Sequence, residues 1–237
     1  MQSRIVLALR MLTLVLILAI VAVAVLMVLH FFDTDRAPRT ELERAIYAAE
    51  DAVRATPDSA SARIKLASAY LEGGAVGSAR EQADIAVRLA PSDPAAYYIL
   101  GLVQMEQGDT GEAIDSYTKA TSMQGQVAAF YQDAWAALAK AYVEADMPDK
   151  ALEAIDTSLD FGPENALLLV ERAKIYEERE AWADALYDYA QAAQFGFHEA
   201  AEDVARLIED HPEALVEAQE RFGLGPDGSF ESTTSPH

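Results

Sequence analysis

The 237-residue sequence contains no cysteine. That excludes disulfides, a cysteine nucleophile, cysteine-held iron–sulfur clusters and cysteine zinc sites. It does not fix a compartment. Histidine is scarce, and His30, His198, His211 and His237 show no metal-site spacing. A glycine-rich phosphate loop is missing; Gly73, Gly74 and Gly108 fall at turns between helical stretches. Basic residues are few, 18 against 39 acidic ones, for a net charge of -21. Such a surface repels nucleic acid and suits basic partners or plain solubility. Carboxylates are abundant, but none falls in an enclosed apolar setting that the sequence can reveal. Residues 226–237 begin like a calcium loop and lack the rest of its ligands. The expectation is a protein that is not an enzyme and uses no cofactor or metal.

A long apolar run stands at the start. Residues 11–29 read MLTLVLILAIVAVAVLMVL, with only Thr13 polar and no charge. As a helix the run spans about 30 Å, the thickness of a bilayer's hydrocarbon core. Arg10 is placed to snorkel toward headgroups. His30, Phe31 and Phe32 are poor signal-peptidase positions and resemble an interfacial belt. The run therefore predicts an uncleaved transmembrane anchor over residues 1–32, followed by a linker at 33–40. Arg4 and Arg10 precede it; Arg36, Arg39 and Arg44 follow, interleaved with acids. The slight positive-inside bias predicts a single-pass protein of a bacterial inner membrane, with the remainder on the periplasmic side.

Beyond the linker a set of residues recurs at fixed offsets. From Ala60 the set is Ala67, Tyr70, Ala79, Ala83, Ala86 and Pro91. From Pro94 it is Tyr97, Leu100, Gly101, Ala113, Tyr117 and Ala120. From Gln132 it is Trp135, Leu138, Ala139, Tyr142, Ala151, Ile155 and Pro163, and from Ala166 it is Leu169, Ala173, Tyr176, Ala185, Tyr189 and Ala192. The period is 34 residues. It resembles the tetratricopeptide repeat: a bulky residue, Leu-Gly, Tyr, then Ala, an aromatic, Ala and Pro. The resemblance covers most of residues 41–222. It implies an all-α, right-handed solenoid of helix pairs, here preceded by the transmembrane helix. The division is a half repeat at 41–57, repeats at 60–93, 94–127, 132–165 and 166–199, a C-terminal cap at 200–222 and a flexible tail at 223–237. Four residues, 128–131, are inserted between the second and third repeats. Departures are Pro94 at a repeat start, Arg63 in place of an aromatic and Phe197 in place of Pro.

The physics of the residues agrees. Small residues at 67, 101, 139 and 173 face small residues at 79, 113, 151 and 185, so paired helices can approach closely. Turns within pairs fall at Gly73 and Gly74, at Gly108 and Asp109, at residues 146–149 and at residues 178–180. Pro57, Pro91 and Pro163 end second helices, and Asp58, Asp93 and Asn165 offer caps for the next.

In the resembled family the first helices line a concave groove that binds an extended peptide or partner helix. At the matching positions here, Tyr98, Leu102 and Met105 form an apolar candidate anchor patch, open or covered by the insertion or a terminal helix. Glu72, Glu106, Glu144 and Glu178 repeat along one edge and would favour a basic partner, or simply solvate helix ends. Lys140 and Lys174 occupy equivalent places one repeat apart and could hold a partner's carboxylate, although the family's fuller carboxylate clamp is missing. Phe130 and Tyr131 sit on the insertion, either projecting or sealing a wider step.

The predicted function is a membrane-anchored protein–protein interaction module, a scaffold or assembly factor for a multiprotein membrane complex. The alternative is a permanent structural subunit of such a complex, using both the transmembrane helix and the repeat surface. Solenoids stacking end to end are a third reading.

Overall fold

The structure, a computed structural model, describes residues 11, 15–17, 19–27, 40–123 and 126–230. The chain divides into two compact units, residues 1–48 and 49–237. The boundary falls inside the first named helix, α1 (Glu41–Ala55).

In the first unit residues 15–17 and 19–27 are helical and solvent-exposed. Among the described residues no helix is long and apolar enough to cross a membrane. This corrects the sequence reading: the transmembrane anchor, the membrane-anchored form of the repeat protein, the inner-membrane and periplasmic placement, and both membrane-complex functions lose their support. The other positions of the expected anchor, 1–10, 12–14, 18 and 28–32, lie outside the described residues. The same holds for the expected linker except Thr40. Thr40 and Glu43 start α1 as a reciprocal cap: the Glu43 amide donates to Thr40 Oγ1 at 3.0 Å, and the Thr40 amide donates to Glu43 Oε2 at 3.2 Å.

The second unit is a run of antiparallel helix pairs. They are α2 (Ala60–Glu72) with α3 (Val76–Leu89), α4 (Pro94–Gln107) with α5 (Thr110–Ser122), α6 (Ala128–Glu144) with α7 (Pro148–Phe161), and α8 (Ala166–Glu178) with α9 (Trp182–Gln194). Each pair closes on its small residues. Ala67, Ala139 and Ala173 are buried on first helices, and Ala79, Ala113, Ala151 and Ala185 on second helices. Helices α10 (Ala200–Asp210) and α11 (Pro212–Phe222) both pack on α9 and cap the run.

The four turns inside the pairs share one geometry. Ala75 donates to the Tyr70 carbonyl, Asp109 to Gln104, Met147 to Tyr142 and Ala181 to Tyr176, all at 2.8–2.9 Å. The residue just before each donor is left-handed: Gly74 at φ 70°, Gly108 at 80°, Asp146 at 56° and Glu180 at 59°. This is the Schellman stop, which satisfies the last carbonyls of the first helix and reverses the chain. Ser59, Asp93 and Asn165 accept from the amides of Ala62, Ala95 and Leu168. The first cap is therefore Ser59, one residue after the expected Asp58.

The insertion becomes an extra first turn on α6, which runs 17 residues. Phe130 and Tyr131 pack rather than project. Phe130 meets Tyr98 edge-on at 5.5 Å, Tyr131 stacks on Phe161 at 5.8 Å, and the Tyr131 hydroxyl donates to the Met123 carbonyl at 2.6 Å.

The stretch after α11, assigned from sequence to a flexible tail, is folded over residues 223–230. Leu224 and Phe230 form an antiparallel bridge, Gly225 donates to the Ser229 carbonyl at 2.6 Å, and Phe230 lies against Tyr187 at 5.5 Å. Residues 231–237 lie outside the described residues.

Candidate functional site

The first helices α4, α6 and α8 carry every predicted site residue. Tyr98, Leu102 and Met105 on α4 are half-buried and pack against the core around Tyr117 and Leu138. The Tyr98 ring lies between Tyr117, at 6.0 Å, and Phe130. Burial pushes its hydroxyl pKa up, and the Asp133 charge adds to that. The patch expected to anchor a partner is thus largely consumed in joining the second repeat to the third.

The open surface lies one repeat further on. Of the steps between the four full repeats, that from α7 to α8 is the most sparsely packed. A pocket of about 400 Å³ opens there. Ala136, Ala139, Lys140, Val143 and Glu144 of α6 form one wall, Ile155 of α7 the floor, and Leu167, Leu168 and Glu171 of α8 the other wall. Leu167 is 63% exposed and Val143 39% exposed at its mouth. Ion pairs hold the step elsewhere. Across it Arg172 donates to Asp156 and Arg179 to Asp149 at 2.6 Å, while within the fourth repeat Arg172 also donates to Asp188 at 2.7 and 2.8 Å. Burial lifts the Asp188 carboxyl above its ordinary range, and the Arg172 guanidinium opposes that shift.

Lys140 and Glu144 therefore share one pocket. Both are exposed and make no ion pair among the described residues. Lys174 differs from its repeat equivalent: its Nζ donates to Glu171 Oε1 at 2.8 Å. Glu106 and Glu178 are exposed, again with no ion pair among the described residues. Sequence offsets alone mark Val143 and Leu167 as groove positions. Ile155, Leu168 and Glu171 carry no such mark, because they enter the pocket only through the angle at which the fourth repeat leaves the third. The spacing of Glu171 to Lys174, three apart on a helix, is the one local signal that could have exposed the neutralised lysine.

A second cavity, of about 410 Å³, lies between α9, α10 and the folded segment at Asp227, Gly228, Ser229 and Phe230. Among the described residues no group of three or more acids or histidines is placed to hold a metal ion.

Two family models, each described as tetratricopeptide repeat, match this chain. One matches residues 39–94 and 76–128, the other residues 104–169, together more than half of the chain. The chain belongs to the tetratricopeptide repeat family. Its tetratricopeptide repeats form an all-α solenoid. No curated protein matches the chain. Among solved structures, MamA aligns at 24% identity over 68% of this chain and 91% of its own, with a TM-score of 0.58. YrrB, a TPR protein with an unusual peptide-binding site, aligns at 18% identity over 78% of this chain and 97% of its own, with a TM-score of 0.60. PilF of Pseudomonas aeruginosa aligns at 18% identity over 79% and 87%, with a TM-score of 0.64. At these identities the likeness is one of fold.

Proposed function

We propose that the chain is a protein–protein interaction module whose tetratricopeptide repeats scaffold a complex by holding a segment of a partner on the first-helix face. The observation that carries this reading is the open apolar pocket between α6 and α8, with Val143 and Leu167 exposed at its mouth. Apolar surface left in water costs about 25 cal/mol per Å² relative to burial, and a rimmed apolar patch marks an interaction site. The fold shared with YrrB, which has a peptide-binding site, supports the same reading.

Site-specific photo-crosslinking tests it. A photoreactive residue replacing Val143 should give a discrete protein adduct in extracts of the native cell. The same residue at Glu153, exposed on the second helix α7, should give none. Adducts from position 153 alone, or from neither position, would remove the first-helix face from the reading.

A further inference from the structure

We propose that the pocket between α6 and α8 receives an apolar side chain from a partner segment that bears lysine or arginine on either side of that anchor. This rests on the reading of the first-helix face as a partner-binding surface and adds the chemistry of the partner.

The anchor follows from the walls. Ala136, Val143, Ile155, Leu167 and Leu168 are apolar, and about 400 Å³ lies at the small end of the usual range for ligand pockets, about 300–1,000 Å³. That space suits one or two large side chains and not a packed helix.

The flanking charge follows from what is already paired. Lys174, the equivalent of Lys140 one repeat on, already has Glu171 as its ion-pair partner. Lys140 then faces the acids alone. Glu144 shares its pocket, and Glu106 lies one repeat back. Glu106, Glu144 and Glu178 hold the same place in successive repeats, so they run along one edge of the first-helix face. Asp133, on the same helix as Lys140, acts on the Tyr98 hydroxyl. None of Glu106, Asp133 and Glu144 has an ion pair among the described residues. The chain's own arginines nearby are committed elsewhere: Arg172 to Asp188 and Asp156, Arg179 to Asp149, and Arg206 to Glu177. On α4, α6 and α8 the charges without an ion pair among the described residues are Glu106, Asp133, Glu144 and Glu178 against Lys140, so the unmet charge along this face is negative and its complement must come from outside.

Selection of a random peptide display library on the purified 237-residue chain tests the proposal. Binding of the enriched peptides is then measured against Leu167→Asp, the double variant Glu106→Gln/Glu144→Gln and Lys140→Met. Leu167 is exposed in the first turn of α8, where an acid is well tolerated, and thermal melts confirm that each variant folds. The expected consensus is a large apolar residue flanked by Lys or Arg. Affinity should fall at least about tenfold in Leu167→Asp and about threefold in the double glutamine variant, with the difference vanishing at high salt. Acidic or carboxylate-ending peptides that depend on Lys140 would overturn the partner chemistry and leave the partner-binding surface standing. Enriched peptides indifferent to Leu167→Asp, or no enrichment, would overturn the pocket itself. A dimer abolished by Leu167→Asp would assign the pocket to a second copy and overturn the proposal equally.

Discussion

The ring of Tyr117 lies across the α-carbon of Gly101: a Cβ at residue 101 would meet Tyr117 Cε1 at 2.5 Å and Cδ1 at 2.6 Å. Tyr117 is buried to 1% exposure in the core that joins the second repeat to the third. The equivalent first-helix residue is alanine in the other three repeats. The fourth repeat places Tyr189 opposite Ala173 at the same offsets, whereas in the second repeat Gly101 lets the Tyr117 ring lie directly against the helix backbone.

Gly101→Ala should therefore destabilise the chain by about 1–3 kcal/mol, the cost of overpacking a filled site. Gly111→Ala, at a helical position with nothing within 4 Å of the added methyl, should stabilise it by about 0.5–1 kcal/mol. Urea unfolding of both variants gives the comparison. Equal midpoints would mean that the Tyr117 ring moves aside freely.

Arg172 and Asp188 form the tie between α8 and α9, with Asp188 buried to 1% exposure. Asp188→Ala should cost about 3 kcal/mol, because it leaves most of a guanidinium buried with only the Asp156 partner. Replacing both, as Arg172→Met/Asp188→Leu, should cost less than the two single changes summed. A double-mutant cycle on denaturation free energies measures the coupling, and strict additivity would exclude an energetically meaningful pair.

Alkaline pH should unfold the repeats cooperatively. Burial raises the pKa of Tyr98, Tyr117, Tyr176 and Tyr189, while a hydrogen bond to Glu50 is the main cause that raises Tyr70 to about 12. A phenol whose folded pKa lies above its unfolded value of 10 stabilises the fold fully below pH 10. That contribution is lost as pH rises through the folded value. Each fully buried tyrosine contributes up to about 1.4 kcal/mol per pH unit in that window, and the partly buried Tyr70 less. Phenolate absorbance from these residues should rise together with loss of helical circular dichroism above pH 10. Their ionisation with the helices intact would contradict the assignment.

Gly228 is buried at φ 78°, and a Cβ there would meet Val204 Cγ1 at 2.8 Å and Ile208 Cδ1 at 2.9 Å. Gly228→Ala should detach residues 223–230 from α10 without unfolding the repeats. Limited proteolysis should then cut within 223–230 at a rate at least about tenfold higher, matching a local cost of about 1–3 kcal/mol. An unchanged cleavage rate would show that the segment is not held through Gly228.

Most of the solenoid was legible because its rules are local. The 34-residue spacing placed small residues where helices cross, and Gly74 and Gly108 marked the left-handed turn positions. Asp146 and Glu180 adopt the same conformation without glycine, so composition alone would not have marked them. The apolar run at 11–29 was also read by a local rule, and there hydropathy misled. It registers how apolar a segment is, whereas a membrane span also needs a helix both long and apolar enough to cross, and among the described residues none is.

The sequence by itself determined the repeat, its helix pairs and the residues at each close approach, since all of these follow from periodicity within one pair. Only the tertiary structure decided which predicted site residues remain available. Phe130 covers Tyr98, Glu171 takes Lys174, and the loose third step leaves Lys140 and Glu144 around an open pocket. These outcomes depend on the angle between successive repeats and on competition among side chains from different helices. Neither quantity is encoded at a fixed offset along the chain.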